Sequence, residues 1–161
     1  AEVLLIHAEA RFEKDGSLSD GDLDQSINLL RARVGMPALT NSFAGANGLD
    51  MKTEIRRERT IELAFEGFRY DDLRRWKTAE TELPQDIKGI NLTQSDWLDP
   101  IIINGSNRNP YAGAGWTTDA NGFIVAESST GRSFDPLKHY LRPVPTKEIL
   151  LNPNLEQNPG W

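Results

Sequence analysis

The stretch EIRRERTIELAFEGFRYDDLRRW, Glu54 to Trp76, decides how the chain reads. Its apolar residues recur at helical spacing, while Glu54, Glu58, Glu62 and Glu66 form a ladder of acids four apart. On one helix face such like charges repel by a few tenths of a kcal/mol per pair, roughly 0.3. The ladder therefore demands arginine partners, and Arg31, Arg33, Arg56, Arg57, Arg59, Arg69, Arg74, Arg75 and Arg142 are available. On a helical wheel Glu58 falls on the apolar side, with Met51, Ile61 and Phe65. Buried acids among many arginines predict a structural ion-pair network of Glu54, Glu58, Glu62, Arg57, Arg59 and Arg69. The competing reading is a glycosidase, with Glu58 and Glu62 as an acid and a nucleophile or base. The surplus of arginines favours the network. Gly67 reads as the bend that ends this helix, with a shorter helix from about Arg69 to Ala79 after it.

Towards the N-terminus, AEVLLIHAEA opens an amphipathic helix that runs to about Lys14 and stops at Asp15-Gly16. A helix that begins at residue 1 without a capping residue reads as one cut from a longer protein. Asp20 is placed to cap a second helix, with Leu23, Ile27, Leu30 and Val34 on its buried face and Gly35 as its stop. Two helices joined by a short loop make an antiparallel hairpin of tetratricopeptide size, a unit that needs neighbours to cover its apolar faces. Thr40 to Gly48 is polar and glycine-bearing and reads as a loop before the central helix starts near Asp50.

Most of the glycines and prolines fall from Pro84 onward, and no helical period there lasts beyond two turns. Ile101–Ile103, Phe123–Ala126 and His139–Leu141 read as short strands, with Asp119-Ala120-Asn121-Gly122 as the turn before the second. Thr146 is placed to cap a final short helix. The expectation is a mainly α protein: antiparallel helix pairs of the tetratricopeptide type plus a loop-rich C-terminal half with a few short strands. Residues 1–80 form the helical part and 81–161 the irregular part that packs on it.

Composition removes several functions. The net charge of -6 argues against nucleic acid or an anionic membrane surface as a partner. With no cysteine there is no disulfide, thiolate metal site or thiol catalysis in these residues. Asp20, Asp22 and Asp24 alternate like calcium-loop acids, but Gln25 stands where a glycine is needed and Arg31 where a glutamate is needed. They read instead as first-turn acids complementing a helix dipole. His7 and His139 lack partners at ligand spacing, and no phosphate loop or nucleophile signature is present. No catalytic residue, metal or cofactor is assigned.

One binding constellation remains. Trp97, Tyr111 and Trp116, with Phe123, lie among Asn104, Asn107, Arg108, Asn109 and Asp119 in the irregular half. Aromatic faces cover the C–H face of a sugar while amides and acids take its hydroxyls, so Trp97, Tyr111 and Trp116 are the candidate ligand-binding residues. The same rings also serve to pin a long loop.

The pieces AEVLLIHAEA, INLLRARVGMP, IRRERTIELAFEGFRYDDLRRWK, HYLRPVPTKEI and NPNLEQNPGW, taken in this order, resemble the C-terminal region of the SusD/RagB family. About Glu80 to Leu137 lacks a recognisable motif. The resemblance implies a non-enzymatic, lipid-anchored protein at the outer-membrane surface of Bacteroidetes-type bacteria. Such a protein captures glycans, or peptides in RagB-like members, and passes them to a SusC-like TonB-dependent transporter. The signal peptide, the lipidated cysteine and most of the helical repeats are not among these residues. The resemblance also implies that Gly67, Trp76 and Trp161 belong to the scaffold. A helical-repeat module that binds protein partners without a sugar is the alternative from a different class.

Overall fold

The computed structural model describes residues 1–94, 98–111 and 115–161. The chain is mainly helical, with tetratricopeptide-type helix pairs and a few short antiparallel strands. It forms two compact units, Ala1–Asp72 and Leu73–Trp161.

In the first unit, α1 (Glu2–Asp15) ends at Gly16. The second helix is capped one residue earlier than expected: Ser19 is the N-cap, and a capping box with Asp22 satisfies two backbone donors at once. It is also broken, into α2 (Asp20–Asp24) and α3 (Ile27–Arg33). The reason is Ser26, whose buried hydroxyl donates to the carbonyl of Asp22 at 2.6 Å and competes with the helical ladder. Leu23, Ile27 and Leu30 are buried as the spacing predicts, but Val34 is exposed, because α3 ends at Arg33 and Val34 lies past its last turn.

The stretch 40–48 is not a loop. Thr40 caps α4 (Asn41–Ala46) by accepting the Phe43 N–H at 3.1 Å. Asn41 ties its start to α2, donating through its backbone N–H to Asp20 Oδ1 at 2.8 Å and through Nδ2 to the carbonyl of Leu18 at 2.9 Å. The segment before it is clamped by Asn28, a buried amide on α3 that accepts the Leu39 N–H at 2.7 Å and donates to the Leu39 carbonyl at 3.0 Å. This reciprocal pair replaces a β-bridge and seats Leu39, fully buried, in the core.

Asp50 caps α5 (Met51–Glu62), accepting the Thr53 N–H at 2.8 Å. The helix stops at Glu62, earlier than the Gly67 bend expected from sequence. Leu63 leaves helical geometry, Phe65 sits at φ 65° and Gly67 at φ 86°, so the bend extends across 63–67. Ile61 and Phe65, placed by the helical wheel on the apolar side with Glu58, are exposed instead; Phe65 lies beyond the helix, where the wheel no longer describes it, and Ile61 stands in its last turn, where the chain begins to turn away. Leu5, Ala8, Leu23, Ile27, Leu39, Ile55 and Leu63 make the core of this unit, with α1 packed on α5 and α3. α6 (Arg69–Arg75) starts with Asp71 and Asp72 and ends with Arg74 and Arg75, charges that complement its dipole.

In the second unit, α7 (Ala79–Glu82) precedes β1 (Ile87–Asn91), which pairs antiparallel with β4 (Phe123–Glu127). β2 (Ile102–Ile103) and β3 (Ser106–Asn107) form a hairpin. The strand expected at Ile101–Ile103 is therefore shorter by one residue, and that at Phe123–Ala126 is present and one residue longer. His139–Leu141 is a series of turns: the His139 and Lys138 N–H groups both donate to the carbonyl of Asp135, at 2.7 and 3.1 Å. Helix α8 (Thr146–Leu151) has Thr146 as its first residue, with Pro145 at the cap position and no side-chain cap.

Candidate functional site

Of the expected ligand-binding residues, Trp116 is positioned by the 119–122 turn. Asp119 Oδ1 accepts the N–H groups of Asn121 at 2.9 Å and Phe123 at 3.0 Å, while Oδ2 meets the Lys88 ammonium at 2.6 Å. Lys88, followed by the Phe123 N–H, holds the Asp119 carboxyl below its ordinary value, and Asp119 raises Lys88 in return. Gly122 at φ 85° completes the turn; a Cβ there would lie 2.4 Å from Cγ2 of Thr93, so no other residue fits without displacement. β4 then bonds back to the segment before the turn, where Val125 N–H donates to the Thr117 carbonyl at 2.9 Å and Thr118 bridges Ile124. Trp116 stands at the head of that segment, 46% exposed.

Tyr111 is half-buried, and its N–H donates to Asn109 Oδ1 at 2.8 Å. Asn109 is buried: its Nδ2 donates to the Asp99 carbonyl at 2.6 Å and its N–H to Asn107 Oδ1 at 2.9 Å. Asn107 Oδ1 also takes the Ile101 N–H at 3.1 Å. The Oδ1 atoms of Asn107, Asn109 and Asp119, offered by the sequence as hydroxyl partners, thus accept backbone N–H groups of their own loops. This is the Asx chemistry that holds irregular chain. Asn104 sits in the hairpin turn at φ 51°. Trp97 lies outside the described residues.

Glu54, Glu58 and Glu62 of the central stretch sit in separate bridges. Glu58 pairs with Arg31, both largely buried, and Arg31 also donates through Nε to the Pro37 carbonyl at 2.7 Å. Glu62 receives Arg33 Nη2 on both oxygens, at 2.7 and 2.9 Å. Glu54 takes Arg57 Nε at 2.9 Å one turn along the same helix. Arg59 Nε donates to Asp72 Oδ2 at 2.8 Å, and Arg69 Nη1 to Thr60 Oγ1 at 2.8 Å. Arg31, Arg33 and Asp72 are partners that the ladder alone did not single out, because each comes from a different helix.

A cavity that the sequence gave no sign of opens at the bend after α5. It measures about 570 Å³ and is walled by Leu63, Phe65 and Phe68 with Arg59, Tyr70 and Asp72. The Arg59 guanidinium lies over the Phe68 ring at 5.4 Å, and its Nη1 is a buried donor without a partner in the protein. Phe65 is fully exposed and Tyr70 nearly half so.

A second aromatic cluster, in the C-terminal unit, is self-contained. Phe134 meets His139 and Tyr140 edge-on at 5.4 and 4.9 Å, and Trp161 Nε1 donates to the carbonyls of Lys138 and Leu141 at 3.2 and 3.1 Å. Burial, then the nearby Glu80, pushes the Tyr140 hydroxyl above its ordinary value. Among the described residues, no helix is long and apolar enough to cross a membrane.

Comparison with known proteins places this architecture. A crystal structure of a SusD-like carbohydrate binding protein from Bacteroides fragilis NCTC 9343 is similar at TM-score 0.64 and 28% identity, covering 96% of this chain and 27% of that one. A second SusD-like protein from the same strain is similar at TM-score 0.62 and 31% identity, covering 99% of this chain and 24% of that one. The chain therefore spans about a quarter of the length of these solved structures. No protein with a curated description matches it. The profile of the SusD family matches residues 1–161, and the chain belongs to that family.

Proposed function

We propose that the protein captures glycans at the outer-membrane surface without chemical turnover and delivers them to a SusC-like TonB-dependent transporter. The observation that carries this reading is the match to the SusD family over the whole chain, with a carbohydrate binding protein among the similar structures. Support comes from Trp116, a half-exposed indole on an edge braced by β4, which offers a flat face to the C–H side of a pyranose. Tyr111 and Trp97 are the further ligand-binding candidates. Glu58 and Glu62 engage Arg31 and Arg33 through hydrogen-bonded bridges, an arrangement suited to scaffold and unsuited to a proton-shuttling pair. In this reading Glu58, Glu62, Arg59 and Arg69 tie α5 to its neighbours, Glu54 and Arg57 brace α5 along its own length, and a lipid anchor outside these residues holds the protein at the membrane.

Isothermal titration of the full-length protein with a panel of oligosaccharides tests the reading. Saturable binding to at least one glycan, weakened about tenfold in Trp116→Ala and without release of reducing ends, is expected. Flat titrations across the panel, or hydrolysis that survives Glu58→Gln with Glu62→Gln, count against it.

A further inference from the structure

We propose that the cavity at the α5–α6 bend is a second sugar-binding site, selective for uncharged glycan units; the proposal rests on the glycan-capture reading and adds a site to it.

Three independent features meet there. The first is space: about 570 Å³, within the roughly 300–1,000 Å³ range of small-ligand pockets. The second is an unsatisfied donor. Arg59 is 5% exposed; its Nε is committed to Asp72, its plane covers Phe68, and its Nη1 is left without an acceptor. A buried guanidinium N–H without a partner is a standing penalty that a ligand hydroxyl or ring oxygen removes. Thr60 does not meet this need, since its Oγ1 already donates to the Arg56 carbonyl at 2.8 Å and accepts from Arg69 at 2.8 Å.

The third feature is a strained aromatic. Phe65 adopts φ 65°, a left-handed conformation that a bulky side chain rarely takes, and in doing so holds its ring entirely in solvent at the cavity wall. Strain of this kind persists where it positions a group, and an exposed ring beside the half-exposed Tyr70 makes a platform for the C–H face of a sugar.

Charge selects the class of sugar. Between residues 59 and 72 the acids Glu62, Glu66, Asp71 and Asp72 outnumber Arg59 and Arg69, and the chain carries -6 overall. Arg59 itself already faces a carboxylate, that of Asp72. A uronate or sulfated sugar would therefore meet repulsion with little compensation, whereas a hydroxyl satisfies Nη1 without bringing charge.

The test uses the full-length protein, titrated with neutral oligosaccharides (maltoheptaose, cellohexaose, xylohexaose, mannohexaose) and anionic ones (oligogalacturonate, heparin hexasaccharide), in the parent and in a Trp116→Ala background. Binding of a neutral oligosaccharide that survives in Trp116→Ala and falls about tenfold on adding Phe65→Gly is expected. Phe65→Gly should also raise the melting temperature, because glycine relieves the positive φ, so the lost affinity cannot be blamed on unfolding. Tyr70→Ala should weaken binding in parallel. If neutral sugars bind but neither Phe65→Gly nor Tyr70→Ala weakens them, the bend site is wrong and glycan capture stands. Tighter binding of the anionic sugars overturns the selectivity, and absence of any glycan binding by the parent overturns both.

Discussion

Arg59 on α5 donates through Nε to Oδ2 of Asp72 on α6 at 2.8 Å, with both side chains 6% exposed. The two residues lie on opposite sides of the 63–67 bend, so this bond fixes the angle at which the chain leaves the central helix. Removing one partner of such a buried pair strands the other charge, which costs about 3–5 kcal/mol. Asp72→Ala is expected to lower urea stability by that order. An unfolding midpoint equal to the parent's would show that the bend holds without the pair.

Arg31 and Glu58 make the second buried pair, joining α3 to α5. Glu58→Ala is expected to cost about 3 kcal/mol, while Arg31→Met combined with Glu58→Leu recovers most of that loss, since an apolar pair of similar volume needs no desolvated charge. Ligand affinity of the folded Glu58→Ala protein should equal the parent's. The check is a double-mutant cycle by chemical denaturation beside a glycan titration, and lost affinity at unchanged stability would move Glu58 from scaffold to site.

Asn28 carries the clamp on Leu39 through two hydrogen bonds in the core. Asn28→Ala leaves a buried N–H and C=O unpaired and should destabilise by about 2–3 kcal/mol. Thr40→Ala, which removes only the α4 cap, should cost about 1 kcal/mol. Equal losses in thermal melts would mean that the clamp contributes no more than a cap.

The Lys88–Asp119 contact predicts a pH dependence with a defined sign. Asp119 is held below its ordinary value near 3.8, chiefly by Lys88 and then by the Phe123 N–H. Its contribution is therefore fully present above that value and disappears as pH falls through the lowered folded value. The melting-temperature gap between parent and Asp119→Asn should persist from neutral pH down to about 4 and close below it. A gap independent of pH between 7 and 2 would contradict the contact.

Tyr140 predicts the opposite limb. Burial, then Glu80, raises its hydroxyl above the ordinary value of 10.0, so its contribution is present below that pH and is lost as pH rises through the raised folded value. Alkaline titration followed at 295 nm should show one late tyrosine, absent in Tyr140→Phe. A latest phase that is unchanged in Tyr140→Phe would contradict this.

The sequence by itself determined the local elements and the family. The caps at Asp50 and the stop at Gly16, the apolar spacing of Leu23, Ile27 and Leu30, and the Asp119–Gly122 turn are decided within a few residues, so they can be read from a string. Asn104-Gly105, the turn between β2 and β3, carries a hairpin signal that the sequence reading passed over, naming only the strand at Ile101–Ile103. The ladder of glutamates announced that arginines were needed.

Tertiary structure decided which arginines. Arg31 and Arg33 reach Glu58 and Glu62 from another helix, and Asp72 reaches Arg59 across the bend; spacing along one helix carries no information about either. It also decided that Ser26 breaks a helix and that the loop amides near Tyr111 bond the backbone of their own loop, since a side chain that can bond either its own backbone or a ligand is committed only by what packs around it. The bend cavity belongs to the same class. Phe65, Arg59 and Tyr70 become one wall only after the chain turns at 63–67, because a concave surface is a property of how segments meet, and no single segment encodes it.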